Sequence, residues 1–220
     1  MTVNPEQHRA SIIDAAIRIL DRDGADALNM RDLADETQLR PMALYHYVRS
    51  KAELLSMVVG EVTARATGRR PDGPPRERML VQFTDTYRAL AAIRWLPSLL
   101  HQGAGTGVPP FAMIEYFLAT AAEIGLPDEQ ACELWRAVWS LIGFELQWHE
   151  VNRAFARTEA WYETIAPSDV EQDYPLLARM LPQWGAYTAH YDVEVHIAAL
   201  VDGVIDSHVN GSHRTCEAQI

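Results

Sequence analysis

Between Thr37 and Lys51 the chain reads TQLRPMALYHYVRSK, a stretch that carries Arg40, Arg49 and Lys51 and no carboxylate. Its side chains supply a particular set of chemistries. Arginine can offer two parallel N–H donors to a guanine edge, methyl surfaces such as Met42 and Ala43 suit a thymine methyl, and Tyr45, His46 and Tyr47 can donate to phosphate oxygens. Lys51 adds a point charge beside the free backbone N–H groups of the helix that starts there. The whole chain of 220 residues has a net charge of −11, which would repel a polyanion. The acid is unevenly placed, however. Residues 1–70 hold ten basic and ten acidic side chains, whereas residues 71–220 hold nine against twenty. An anion is therefore expected to approach the first segment.

No equivalent set exists for bond-making chemistry. The sequence has no GxSxG, HExxH, Walker loop or dinucleotide glycine fingerprint, and GAGTG at 103–107 lacks the preceding strand of a phosphate loop. His149 and Glu150 are adjacent instead of one turn apart, and His190 and His196 do not share a helical face. Cys132 and Cys216 stand far apart with no CxxC partner, so both are expected as free thiols. No catalytic residue, metal or cofactor is expected. With 48% apolar residues the chain can bury a full core, while no stretch approaches the apolar length of a membrane span and the N-terminus lacks a secretion-signal pattern. A cytoplasmic protein with no membrane partner is the expectation.

The candidate residues need elements to position them, and the punctuation predicts helices only. Asn4-Pro5 opens a first helix over about 5–23, with Ile13, Ala16, Ile17 and Leu20 as its apolar stripe. Asn29 caps a second helix over about 30–36, Thr37 to Arg40 form a turn, and Pro41 opens a third over 41–47. Ser50-Lys51-Ala52-Glu53 fits a capping box for a fourth helix, 51–67. Two short helices packed on a longer one, with Leu33, Ala34, Leu39, Leu44 and Val48 as anchors, make a helix-turn-helix that offers one face to a DNA major groove. The competing view keeps Leu44 to Val48 as a packed turn with its aromatics in the core.

GRRPDGPPRER at 68–78 cannot continue a helix and marks a domain boundary. Beyond it, helices are expected at about 76–94, 109–124, 128–152 and 187–208, with 153–186 unassigned and a polar tail fraying from Ser207. The fold expectation is all-α: a helix-turn-helix domain with its connecting helix at 1–67, a larger helical ligand-binding and dimerisation domain at 76–210, and a flexible tail at 211–220.

MRDLADETQLRPMALYHYVRSKAELL resembles the DNA-binding segment of the TetR family of transcriptional regulators. The signature L-Y-x-x-V/F-x-x-K-x-x-L-L stands here as Leu44-Tyr45, Val48, Lys51 and Leu54-Leu55. The resemblance implies a homodimeric repressor that leaves a palindromic operator when a small molecule fills its C-terminal domain. It implies DNA contacts at Arg31, Arg40, Pro41, Met42, Ala43, Tyr45, His46 and Tyr47, and a phosphate contact at Lys51. Gln38 stands where the family usually has glycine, and Met42-Ala43 replace more polar residues. Tyr191 to Ile205 is similar to the last, dimer-building helix of the tetracycline-repressor-like branch, and His101 with Gly103 resembles that branch's His-x-Gly. Its other metal and ring contacts have no counterpart, so no tetracycline or metal is expected.

The segment at 128–152 is apolar on more than one face, so its tryptophans are either plain core or the wall of a chamber. The chamber reading assigns Phe83, Tyr87, His101, Trp135, Trp139 and Phe144 to a mostly apolar or aromatic effector. A helical enzyme or carrier is the competing function, and it finds no nucleophile–base pair to support it.

Overall fold

The computed structural model describes residues 5–66, 70–101, 111–155 and 159–217. Among them the regular structure is entirely helical. Four helices, α1 (Pro5–Asp23), α2 (Met30–Glu36), α3 (Pro41–Tyr47) and α4 (Lys51–Ala66), form the N-terminal head, with a 3₁₀ turn at Ala25–Ala27 between the first two. The body contains α5 (Pro75–Ala91), α6 (Leu96–His101), α7 (Phe111–Ile124), α8 (Asp128–Phe155), α9 (Pro167–Val170), α10 (Pro175–Met180), α11 (Trp184–Ala189) and α12 (Val193–Glu217). No helix among the described residues is long and apolar enough to cross a membrane.

The head follows its punctuation closely. The Asn29 side chain accepts from the N–H groups of Arg31 and Asp32, two of the donors that α2 leaves without an intrahelical partner. The buried stripe of α1 is Ile12, Ala15, Ala16, Ile19 and Leu20, rotated slightly from the expected one, so that Ile13 and Ile17 sit at its half-buried edge.

The body departs from expectation in three places. Trp95 and α6 were not anticipated, because Ile93 to Leu100 is too short a run to show a helical period. The unassigned stretch is broken by Pro167, Pro175 and Pro182, each near the start of a one- or two-turn helix. The last helix begins at 193, not 187, because the Asp192 side chain accepts from the Glu194 N–H and caps it. It then continues to Glu217 through the segment expected as a polar tail.

Helix α5 packs on α4, α7 and α12, and α8 lies against α6, α7 and α12. One continuous apolar core runs from Leu20, Leu33 and Leu44 in the head through Leu54 and Val58 to Phe83, Leu99 and Ile142 in the body. Head and body are therefore joined by packing as well as by chain.

Candidate nucleic-acid interface

Leu44 and Val48 are fully buried, as are Leu33 and Ala34 of α2. With those positions turned inward, the 3.6-residue period turns Pro41, Met42, Tyr45 and His46 outward. Met42 is 76% exposed and Tyr45 45%. The aromatics of this face are thus open to solvent, contrary to the packed-turn alternative. Arg31, Arg40 and Lys51 are exposed beside them, and Ala43 is half-buried.

The turn between α2 and α3 is set by Gln38. Its φ is +56°, a left-handed value that usually falls to glycine. The Gln38 N–H donates to the Asp35 carbonyl at 3.2 Å and the Leu39 N–H to the Ala34 carbonyl at 3.0 Å, the paired bonds of a Schellman turn. Leu39 then packs half-buried against the core. The glycine of related turns is dispensable here because these two bonds and the Leu39 contact offset a left-handed penalty of about 1–2 kcal/mol.

The cations of this face lie close together in the chain without ion-pair partners, whereas the other arginines of the body that lack one among the described residues, Arg70, Arg94, Arg136 and Arg179, are spread along its sequence. Arg18, Arg22, Arg65, Arg76, Arg78 and Arg88 each pair with a carboxylate. Among the described residues no carboxylate pairs with Arg31, Arg40, Arg49 or Lys51. Nearby acids are engaged elsewhere: Glu36 is held by Arg18 and Arg22 of α1, and a Glu53 oxygen accepts the Arg49 N–H at 2.6 Å. That last bond amends the capping-box expectation. The Ser50 hydroxyl accepts the Glu53 N–H at 3.1 Å as expected, but the glutamate reaches back one residue further, to Arg49. Part of the α4 N-terminus is therefore satisfied internally, and Lys51 carries more of any anion contact there.

Tyr47 corrects the sequence reading. It is half-buried, because it lies three residues from Leu44 and so shares that residue's inward side. Its ring packs on His8 with centroids 5.1 Å apart, and its carbonyl accepts from Arg9 Nε at 3.3 Å. Helix α1 thereby brings His8 and Arg9 to the edge of the exposed face. Sequence reasoning missed both, since they lie more than 30 positions from α3 in the chain.

In the body, Phe83, Phe117, Trp135 and Trp139 form a chain of tilted rings with neighbouring centroids 5.1–6.0 Å apart. Such offset geometry is favoured by the ring quadrupoles. Phe83 and Phe117 have no exposed surface, while the two tryptophans are half-buried. Phe117 was not among the expected residues, although its place on α7, one turn past Met113, was a readable signal. Among the described residues the buried Trp139 Nε1 and the buried Oε1 of Gln82, next to Phe83 in the chain, have no partner; the Gln82 amide nitrogen donates to the Met113 carbonyl at 2.8 Å. Burial, followed by the charge of Glu145, raises the Tyr87 phenol above its ordinary pKa, which keeps it a neutral donor.

Phe144 is not part of this cluster. It is 61% exposed and stacks on Trp148 at 5.7 Å, because it sits nine residues past Trp135 and the period carries it to the outer face of α8. The side chain of His101 lies outside the described residues.

Residues 12–58 match the family model described as bacterial regulatory proteins, tetR family. An HTH-type transcriptional regulator of Saccharopolyspora erythraea is 28% identical over 187 residues, which span 82% of this chain and 78% of that protein. The HTH-type transcriptional repressor DrrR1 of Streptomyces coeruleorubidus is 39% identical over 121 residues, 54% of this chain and 45% of its own. In three dimensions the chain is similar to apo ActR of Streptomyces coelicolor, with a TM-score of 0.73 at 20% identity over 92% of this chain and 97% of ActR. The same ActR, solved in complex with actinorhodin, superposes with a TM-score of 0.67. The matched segment spans the buried anchors and the open cationic face of α3, and over residues 12–58 the chain carries the DNA-binding segment of the tetR family of bacterial regulatory proteins.

Proposed function

We propose that this protein is a ligand-responsive repressor that binds a palindromic operator as a homodimer and leaves it when a small molecule enters the body. The observation that carries the reading is the face between Arg40 and Lys51, open to solvent and bare of carboxylate partners on an acidic chain. Arg40 and Arg31 supply base-edge or phosphate donors, Met42 and Ala43 the apolar surface, Tyr45 and His46 phosphate donors, and Lys51 a phosphate charge. Tyr47 is reassigned to holding α3 on α1.

A single two-turn helix reads few bases, so two heads related by a two-fold axis are needed, presenting their helices about 34–36 Å apart or a multiple of that. The outer row Val195, Ala199 and Gly203 of α12, with the groove of about 310 Å³ that Gly203 borders together with Leu134 and Ala137 of α8, supplies the subunit contact. Val195 is 60% exposed in the single chain.

The effector is aromatic or largely apolar and lies against Phe83, Trp135 and Trp139, where the unpaired Trp139 N–H offers a donor and the Gln82 carbonyl an acceptor. ActR's complex with actinorhodin, in a protein of the same fold, supports a small-molecule effector bound in the body. Repression, as opposed to activation, draws on the likeness to DrrR1.

The test is binding to duplexes from the DNA flanking its own gene at several salt concentrations. With four unpaired cations per protomer, log K should fall against log salt with a slope approaching about −7 for a dimer. Absence of binding across the panel, or binding indifferent to salt, would sink the reading.

A further inference from the structure

The continuous core joins head to body with apolar contacts, which are non-directional and allow sliding. A directional bond crosses the same junction as well. Trp95, buried just ahead of α6, donates its indole N–H to Asp21 Oδ1 of α1 at 2.6 Å. A bond of that length to an ionised acceptor is of the strong, charge-assisted type. Helix α6 packs on the 3₁₀ turn Ala25–Ala27 next to it, and a cleft of about 850 Å³ opens alongside, between residues 20–26 and 92–98. That flank of the junction is therefore not close-packed, and orientation there depends on the polar tie.

The tie leads directly toward the reading surface. Arg22, adjacent to Asp21, and Arg18, one turn back, both pair with Glu36 at the end of α2. Glu36 is followed by the Schellman turn that sets α3. A run of helix and ion pairs thus links Trp95 to the helix-turn-helix.

We infer that the Trp95–Asp21 hydrogen bond is a latch that fixes the angle of the head on the body, making both positioning residues for DNA binding; this rests on the proposed operator-binding role. A head free to rock must be ordered when its partner head is already docked, and that ordering subtracts from affinity. The acid's own place in α1 argues for such a purpose. Asp21 lies in the last turn of the helix, where a negative charge is unfavourable to the macrodipole, so removing it should not harm α1 locally.

Three full-length variants test the latch: Asp21→Ala and Trp95→Phe, which delete acceptor and donor, and Asp21→Asn, which keeps an amide oxygen in the acceptor's place. Two readouts are taken, affinity for a 30-bp flanking duplex that the wild type binds, and amide hydrogen exchange. Asp21→Ala and Trp95→Phe should each weaken binding about three- to tenfold and speed exchange at residues 25–28 and 96–100 about tenfold, with exchange in α7 and α8 unchanged. Asp21→Asn should lie closer to the wild type than Asp21→Ala in both. The inference is overturned if Asp21→Ala stays within twofold of the wild type in both readouts, if it binds more tightly, or if Asp21→Asn is as impaired as Asp21→Ala. Should the wild type bind no duplex, the operator-binding reading fails, and the exchange measurement still decides whether the bond holds the head.

Discussion

At the scale of single residues, what matters is which charges have been left without partners. A protein with this excess of acid has carboxylates available for almost any arginine, and six arginines use them. Those of the reading face do not. Lys51→Ala should therefore weaken binding to all sequences alike and reduce the magnitude of the salt slope by about 1 per protomer, as expected of a phosphate contact. Arg40→Ala should cost about 1–3 kcal/mol and relax the preference at one base pair per half-site. Binding profiles over a randomised duplex library distinguish the two, and identical profiles for both variants would contradict the docking. Gln38 belongs to the same scale. Its left-handed φ of 56° is costly for a side chain, so Gln38→Gly should stabilise the head by about 0.5–1 kcal/mol, the relief at the turn exceeding the entropy added to the unfolded chain. Thermal unfolding checks it, and a loss of stability would mean that the Gln38 side chain is itself a needed contact.

At the scale of elements, caps and inter-helix ion pairs set where helices begin and how they cross. Asn29→Ala removes the acceptor for two N–H groups of α2 and should cost about 1 kcal/mol, with the damage seen as faster exchange in α2 before any other helix. In the body, Arg76 grips Asp202 with two hydrogen bonds of 2.5 and 2.7 Å, tying α5 to α12, and this contact lowers the Asp202 carboxyl below its ordinary value. A lowered native pKa means that the stabilisation is complete above the unfolded value of about 4 and disappears as pH falls through the native one. The pair faces water, so its worth is about 0.5 kcal/mol. Asp202→Asn should accordingly be less stable than the wild type at pH 7 and equal to it at about pH 2 in urea titrations. A constant difference across that range would assign the effect to shape and not to charge.

At the scale of the whole molecule, the proposed operator binding calls for two heads at a fixed separation, and the outer surface of α12 is where that proposal becomes testable. A Cβ added at Gly203 meets nothing within 4 Å in the single chain. Gly203→Glu should therefore leave the protomer folded, with helical circular dichroism unchanged, while placing a charge on each side of the two-fold contact. Sedimentation is expected to show a dimer for the wild type at micromolar concentration and a monomer for the variant, with operator affinity lost in parallel. A wild-type monomer would remove the paired-head geometry altogether.

Much of this was legible in the amino-acid order. The bounds of α2 and α3, the Asn29 cap, the buried Leu44 and Val48, and the open Met42 and Tyr45 all follow from rules acting within a few residues, where periodicity and capping chemistry dominate. Tyr47 against His8, Phe117 among the tryptophans, the outward turn of Phe144 and the Trp95–Asp21 bond did not follow. Each depends on the rotation of one helix against another far away in the chain, and a local pattern carries no record of that angle. Sequence by itself determined the reading head and its charge; only tertiary packing decided how that head is held on the body, because crossing angles are set by interlocking side chains that meet after the helices have formed.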